Sequence, residues 1–317
     1  MVAAARGPAE LVLMASVARR HFLDGRSKVE IADEFGISRF KVARLLDGAL
    51  SAGVVRIEIA SPGDIAVELS DRLRERFGLA HALVVDTAEQ DPRALRRCLG
   101  QTAAELASEI VTDDDVLGLA WARSVHAMTS QLTRLPRVPV VQLTGALSRP
   151  DMDESSVDLV RDVARVTRGP AYVFYAPMIM PDATSARTLR RQREVVKAFD
   201  QFAHVTKAFV GIGHWATGES TLFDAMTRDE RRQLADKGVV GDISGVFITA
   251  AGKPVHGPLS KRIVAIGADA MRAVPEVVAI PYGAGKAPAV RAALTSGLVK
   301  GVVTHTALAE RLLDDAG

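Results

Sequence analysis

The sequence predicts an α/β protein in two parts: an N-terminal helix-turn-helix of winged-helix-like type, then a mostly parallel α/β domain. Three observations carry this. Two short helical patterns flank "FGIS" between Ser27 and Leu50, and beyond Gly78 apolar strand runs alternate with helical patterns. A chain of 317 residues, 48% of them hydrophobic, exceeds one ordinary small domain and can fill a sizeable core.

From Glu10 to Leu23 the residues Leu11, Leu13, Met14, Val17, Ala18 and Phe22 fall mostly at helical spacing, and the pattern stops near Gly25. Ser27 opens a second helix, with Glu30 completing a capping box and Val29, Ile31, Ala32 and Phe35 as the expected buried side. Gly36 ends it. Ser38 is placed to cap a third helix, in which Phe40, Val42, Ala43, Leu45, Leu46 and Leu50 recur with helical periodicity.

The first two turns of that third helix offer Ser38, Arg39, Lys41 and Arg44, with no acid between Gly36 and Leu46. A helix N-terminus with three cations suits phosphate contact and base-edge readout in a DNA major groove, and Ser27 and Lys28 at the start of the second helix join the expected DNA-binding set. The bland alternative is a solvated basic face on an ordinary helix hairpin. Residues 1–60 carry nine Lys or Arg against seven Asp or Glu, while the rest carries 31 of each, and three of those seven acids sit on the second helix. The cations thus concentrate where readout needs them. The whole chain, with 40 basic and 38 acidic residues and a net charge of +2, argues neither way.

"VVRIEIA" after Gly53 alternates as a strand does and "SPGD" breaks it, as at the end of a winged helix. Another amphipathic helix, Ile65 to Phe77, either pairs with its copy in an oligomer or covers the next domain. The expected division is a DNA-binding domain over 1–60, a linker with a coupling or oligomerisation helix over 61–80, and an effector domain over 81–317.

In that last part the runs "HALVVD", "DVLGLA", "VPVVQL", "AYVFYA", "KAFVGIG", "VVGDISGVFI", "EVVAIP" and "VKGVVT" are expected strands. The expected helices lie near Pro92 to Val111, Ala122 to Leu135, Ser155 to Thr167, Arg187 to Phe202, Arg228 to Asp236, Lys286 to Ser296 and Thr306 to Leu313. In such sheets ligands collect at the carboxyl ends of strands. There "GLAWARS" places Trp121, Arg123 and Ser124, "QLTGAL" places Gln142, Thr144 and Gly145, "GIGHWATGES" places Gly211 and Gly213, and "PYGAGKAP" places Lys286. Taken singly, Gly-rich turns and a helix-opening lysine are ordinary features of α/β folds; their convergence marks the strand ends as a binding site.

Known chemistries fit poorly. "GAGK" lacks the P-loop's first glycine at Ile280 and its hydroxyl at Ala287. "GIGHWA" meets the relaxed dinucleotide fingerprint, but the loop-like "TGES" follows where a helix should have begun, so no cofactor is expected. Seven histidines are scattered without metal-ligand spacing, HExxH and GxSxG are absent, and no carboxylate is singled out as a base. The single Cys98 excludes an internal disulfide and reads as a packing residue in a reducing compartment. Arg6, Pro8 and Glu10 interrupt the N-terminal apolar residues, so the expectation is a cytoplasmic chain with neither targeting segment nor membrane span.

The helix-turn-helix "IADEFGISRFKVARLL", followed in order by "GLAWARS", "VVQLTGAL", "FVGIG", "GVVGDISGVFI" and "YGAGKAPAVRAALTSGLVKGVVTHTALAERLL", resembles the SorC/DeoR-type sugar-responsive transcriptional regulators of bacteria. The resemblance covers nearly the whole chain. It implies an effector domain similar to sugar-phosphate isomerases and glucosamine-phosphate deaminases, used for sensing, in a homodimer or homotetramer on palindromic operator DNA. It places Arg123 and Ser124 in a phosphate-side loop, Gln142 and Gly145 beside the ligand, Asp242 facing it, and Lys286 at an anion site. Ala122 stands where that family's loop commonly has glycine, Ala284 separates Gly283 from Gly285, and His305 departs from the usual closing strand. A sugar, a polyol and a sugar phosphate all remain open as effector. The alternative reading is a sugar-phosphate isomerase or deaminase carrying an accessory helical domain.

Overall fold

The computed structural model describes residues 7–57, 64–89, 91–147 and 155–314. The chain divides into two compact units, Met1–Ala60 and Ser61–Gly317.

The first unit contains three helices, α1 (Pro8–Phe22), α2 (Lys28–Phe35) and α3 (Arg39–Ser51). Ser27 forms the expected capping box: its side chain accepts from Glu30 N–H while the Glu30 carboxylate accepts from the Ser27 backbone. Gly36 closes α2 in the left-handed region, and the Ser38 hydroxyl accepts from Lys41 N–H at the start of α3. Met14, Val17, Ile31, Val42, Leu45, Leu46 and Ala49 form the small core. Of the residues expected on apolar faces, Leu11, Phe22 and Leu50 lie outside it at the surface, and Val29 and Phe40 are the most exposed, at 52% and 82%, because Ile31, Ala32, Val42 and Leu45 already fill the inward side. Residues 54–57 of the expected wing strand form no strand, since Gly53 turns the chain and Val55 N–H returns to the Ala49 carbonyl; residues 58–60 lie outside the described residues.

The second unit alternates strands and helices: α4 (Val67–Phe77), β1 (His81–Val85), α5 (Pro92–Ile110), β2 (Leu117–Leu119), α6 (Arg123–Thr129), β3 (Val140–Gln142), α7 (Ser156–Thr167) and β4 (Ala171–Tyr172) come first. Then follow α8 (Ala183–Leu189), α9 (Arg193–Asp200), β5 (Lys207–Val210), β6 (Ile212–His214), α10 (Thr221–Ala225), α11 (Arg228–Ala235), β7 (Val239–Ile243) and β8 (Val246–Thr249). The unit ends with α12 (Ala268–Ala273), β9 (Glu276–Ala279), α13 (Ala287–Thr295), β10 (Gly301–His305) and α14 (Thr306–Leu313).

Seven strands form one parallel sheet in the order β1-β10-β9-β5-β2-β3-β4, and β6-β7-β8 form a small antiparallel sheet. The expected mostly parallel α/β architecture is what forms. Both faces of the main sheet are covered: on β5, Ala208 and Val210 join the core under α4, α12, α13 and α14, whereas Phe209 joins the core under α5, α6 and α7. Double coverage explains why these strands read as continuous apolar runs.

The structure departs from the expected elements in several places, and of the run "AYVFYA" only Ala171–Tyr172 is strand. "KAFVGIG" is two strands in different sheets, parting at Gly211, and "VVGDISGVFI" is a hairpin turned by Ser244 and Gly245, both at positive φ. The helix expected over Arg187 to Phe202 is split at Arg190–Gln192, with α8 starting at Ala183 because Asp182 caps it. The helix expected over Ala122 to Leu135 ends at Thr129. Helices α10 and α12 were not anticipated; both are too short for a periodic signal.

Of the two readings of the helix after the first unit, α4 covers its own domain. Leu73 is fully buried in the core beneath it, and the Ser70 hydroxyl donates to the Ala66 carbonyl and accepts from Val84 N–H of β1. No helix among the described residues is long and apolar enough to cross a membrane. Ser70→Ala leaves the buried Val84 N–H without its acceptor and is expected to cost about 1–3 kcal/mol, read from the urea midpoint of the full chain; an unchanged midpoint would mean that α4 is not integral to the second unit.

Candidate functional site

From β2 the chain passes to β3 and β4 on one side, and from β5 it passes to β9 on the other, so the carboxyl ends of β2 and β5 flank the point where the connections reverse. Open α/β sheets bind ligands at such a point, in the crevice beyond the strand ends. A small polar pocket lies there.

Each strand end contributes a distinct part. The segment after β2 supplies Trp121, Ala122, Arg123 and Ser124, and Trp121 N–H donates to the buried Thr144 hydroxyl, which fixes that loop against the end of β3. The segment after β5 supplies Gly211 and Gly213. A Cβ at Gly211 would sit 2.6 Å from the Ala122 methyl, and one at Gly213 would sit 2.5 Å from the Asp242 carboxylate. Glycine at these two positions lets the loops close on one another. It also accommodates Ala122, whose φ of −159° is ordinary extended backbone.

Asp242 on β7 is 5% exposed; its two oxygens accept from the Ser220 hydroxyl at 2.7 Å and Gly245 N–H at 3.1 Å. Burial pushes its carboxyl above the ordinary range, opposed by those hydrogen bonds and the Lys286 charge. Lys286, also 5% exposed, stands with its ammonium 4.6 Å from the centre of the Tyr282 ring and 3.8 Å from the Glu219 carboxylate. Burial pushes its pKa down, aided by Arg123 and opposed by Tyr282, Glu219 and Asp242. A buried carboxyl and a buried ammonium face one polar pocket, an arrangement that costs stability and suits a ligand offering both hydroxyl and anionic groups.

Of the effector residues expected from sequence, the structure gathers Trp121, Arg123, Ser124, Gly211, Gly213, Asp242 and Lys286 around this pocket, and Gln142 and Gly145 do not line it. Gln142 is fully buried with its amide donating to the Thr144 carbonyl and the Ser156 hydroxyl and its oxygen accepting from Phe174 N–H, so its hydrogen-bonding capacity is spent inside the fold. Gly145 packs against the Met178 backbone and donates its N–H to the Val264 carbonyl. Glu219, Ser220, Ser244 and Tyr282 line the pocket and were not anticipated. Ser220 was hidden in "TGES", which reads as loop, although it caps α10 and holds Asp242. His305 stands behind the site, its Nε2 accepting from Gly283 N–H, and burial lowers its pKa. Among the described residues no group of three or more His, Cys, Asp or Glu could hold a metal.

On the first unit, Ser38, Arg39, Lys41 and Arg44 are exposed on α3, and none of the three cations is paired with an acid among the described residues. Glu34 of α2 is instead occupied by Arg20 at 2.9 Å and Arg26 at 2.6 Å, and Glu30 by the capping box. Ser27 is exposed with its hydroxyl engaged in that box, and Lys28 beside it is half-buried.

A three-helix unit with a cationic third helix, joined to a parallel α/β domain with a polar pocket at its strand ends, is an arrangement suited to a ligand-responsive DNA-binding protein. A family model described as "Putative sugar-binding domain" matches residues 64–314. The chain is 28% identical over 312 residues to the transcriptional regulator LsrR of Klebsiella pneumoniae subsp. pneumoniae, covering 96% of this chain and 94% of that protein. It is 28% identical over 303 residues to the erythritol catabolism regulatory protein EryD of Brucella abortus, covering 92% and 93%. The full-length sorbitol operon regulator SorC from Klebsiella pneumoniae shares the fold over 96% of this chain and 100% of that one, with a TM-score of 0.74 at 21% identity. The chain belongs to this sugar-binding domain family and, like these relatives, is a transcriptional regulator.

Asp242→Asn gives a pH-dependent test of the pocket. A carboxyl whose pKa is raised by folding stabilises the fold while protonated, and that contribution is lost as pH rises through the folded value. Asparagine keeps both hydrogen bonds, donating to Ser220 and accepting from Gly245, without the buried charge. The ligand-free variant should therefore melt about 2–4 °C higher than the parent at pH 8 per kcal/mol relieved, with the difference vanishing near pH 4.

Proposed function

We infer that this regulator binds a sugar, polyol or sugar phosphate in the pocket beyond β2, β5 and β9, and that occupancy changes the affinity of α3 for operator DNA. The single observation that supports the effector reading most is the burial of Asp242 and Lys286 in one pocket, where each is costly unless a ligand engages it. Arg123, Ser124 and Lys286 are the proposed anion-side groups, Asp242 and Ser220 the proposed hydroxyl-side groups, and Trp121, Gly211 and Gly213 the walls. The Ala122 methyl at the pocket edge narrows the approach of a phosphate, and the relative EryD is named for the catabolism of a polyol, erythritol; both favour an unphosphorylated polyol or sugar.

Residues 1–60 are the proposed DNA-binding domain, with Ser27, Lys28, Ser38, Arg39, Lys41 and Arg44 as its contacts, and residues 61–80 the proposed coupling segment. The acting species is a cytoplasmic homodimer or homotetramer, each pair of copies reading two half-sites of a palindromic operator. Coupling in such switches is typically about 1–3 kcal/mol.

Two measurements test this. In a thermal-shift screen of free sugars, polyols and their phosphates, a true effector raises the melting temperature of the parent protein and not of Arg123→Ala. A phosphate-only response overturns the polyol preference, and no response from any class overturns the pocket assignment. On DNA selected by the full-length protein from a random duplex pool, Arg39→Ala and Lys41→Ala should each weaken binding and flatten the log–log salt dependence by about one unit; unchanged affinity and slope would remove α3 from the interface.

A further inference from the structure

Phe40 is the most exposed large hydrophobic side chain among the described residues, at 82%. Single exposed apolar residues are common on protein surfaces, so exposure alone decides nothing. Its position decides more. Phe40 is the second residue of α3, between the exposed Arg39 and Lys41, and Arg44 follows one turn later on the same face. The opposite face, Val42, Leu45, Leu46 and Ala49, carries all the burial of this helix's apolar side, so the ring has no part in the core of the unit.

A ring ringed by cations is a poor centre for a protein–protein contact, whose core is depleted of charge. It matches a DNA major groove, where the cations meet phosphates and an apolar group at the N-terminal turn of the reading helix meets a base edge. The one apolar feature on those edges is the C5-methyl group of thymine. We propose that Phe40 is a base-reading residue of this regulator: its ring packs on a thymine methyl, so that each half-site carries thymine where the first turn of α3 enters the groove. The inference rests on the reading of α3 as the DNA-contacting helix and adds to it the base read and the residue that reads it. The cations fix affinity and register; Phe40 supplies sequence preference without charge.

The test uses the full-length protein and the duplex it selects from a random-sequence pool. Each thymine is replaced in turn by deoxyuridine, which keeps the base pair and deletes only the methyl. The expected result is one thymine per half-site whose replacement weakens binding about fourfold, the factor one buried methyl is worth, with no such loss in Phe40→Ala. Phe40→Ala itself should bind the selected duplex about fivefold to tenfold more weakly with an unchanged salt slope and melting temperature, and Phe40→Leu should retain part of the preference. Neutral deoxyuridine at every position, or undiminished binding by Phe40→Ala while Arg39→Ala weakens it, overturns the proposal and leaves the DNA reading standing. A changed oligomeric state of Phe40→Ala by sedimentation overturns it too, because the ring would then serve a protein contact. Failure to select any duplex overturns both.

Discussion

Covering a parallel sheet on both faces is the constraint from which the rest of the second unit follows. With helices over Phe209 on one side and Ala208 and Val210 on the other, both faces of the sheet are packed with apolar side chains and leave no room there for a ligand. Polar chemistry is displaced to the strand ends, and the reversal of connections between β2 and β5 keeps one crevice there open. The loops bounding that crevice must approach closely, which is why glycine stands at positions 211 and 213, where any Cβ would strike Ala122 or Asp242. The small antiparallel sheet β6-β7-β8 then has a definite task. It carries Asp242 over the crevice, and the sharp turn at Ser244 and Gly245 aims a backbone N–H at its carboxylate.

The first unit solves a different problem, keeping cations exposed on one helix while holding three short helices together with a small core. Glu34 pairs with Arg20 and Arg26, and Glu30 is committed to the Ser27 backbone, so two of the three acids of α2 are engaged within the unit. The cations of α3 are left to solvent. Surface ion pairs of this kind add little stability, but they determine where positive potential remains, and with it where a polyanion is attracted.

Much of this was legible in the sequence, for reasons that differ by element. Helices α2 and α3 were readable to within a residue because their stops and starts are local chemistry: a Ser–Glu capping box, a left-handed glycine, a second serine cap. The alternation of the α/β domain was readable because buried parallel strands must be continuously apolar. Periodicity failed where tertiary packing chose between equivalent faces: Val29 and Phe40 fit a helical repeat but point away from the core. The pocket was readable only in part. Arg123 and Lys286 announce themselves by charge at strand ends, whereas Ser220 and Tyr282 are brought in by a short helix and a loop with no pattern of their own. Gln142 failed for the converse reason. A polar residue ending a strand looks like a ligand group, and only the three-dimensional structure shows its amide consumed by Thr144, Ser156 and Phe174.

The energetics of the pocket bear on why such a domain senses instead of merely holding its ligand. Burial raises the pKa of Asp242 and lowers that of Lys286, so holding both groups in this pocket carries a cost in stability. Under the proposed reading, a polar ligand that pairs with both groups relieves that cost only in the state that engages it. Differential interaction of this sort is what a two-state switch requires, since a ligand bound equally well by both states shifts nothing. Linkage then makes the exchange reciprocal: whatever factor the effector applies to operator affinity, operator DNA applies to effector affinity. Under the proposed reading, the same buried charges that lower the stability of the free domain therefore supply the free energy by which a metabolite reaches the DNA.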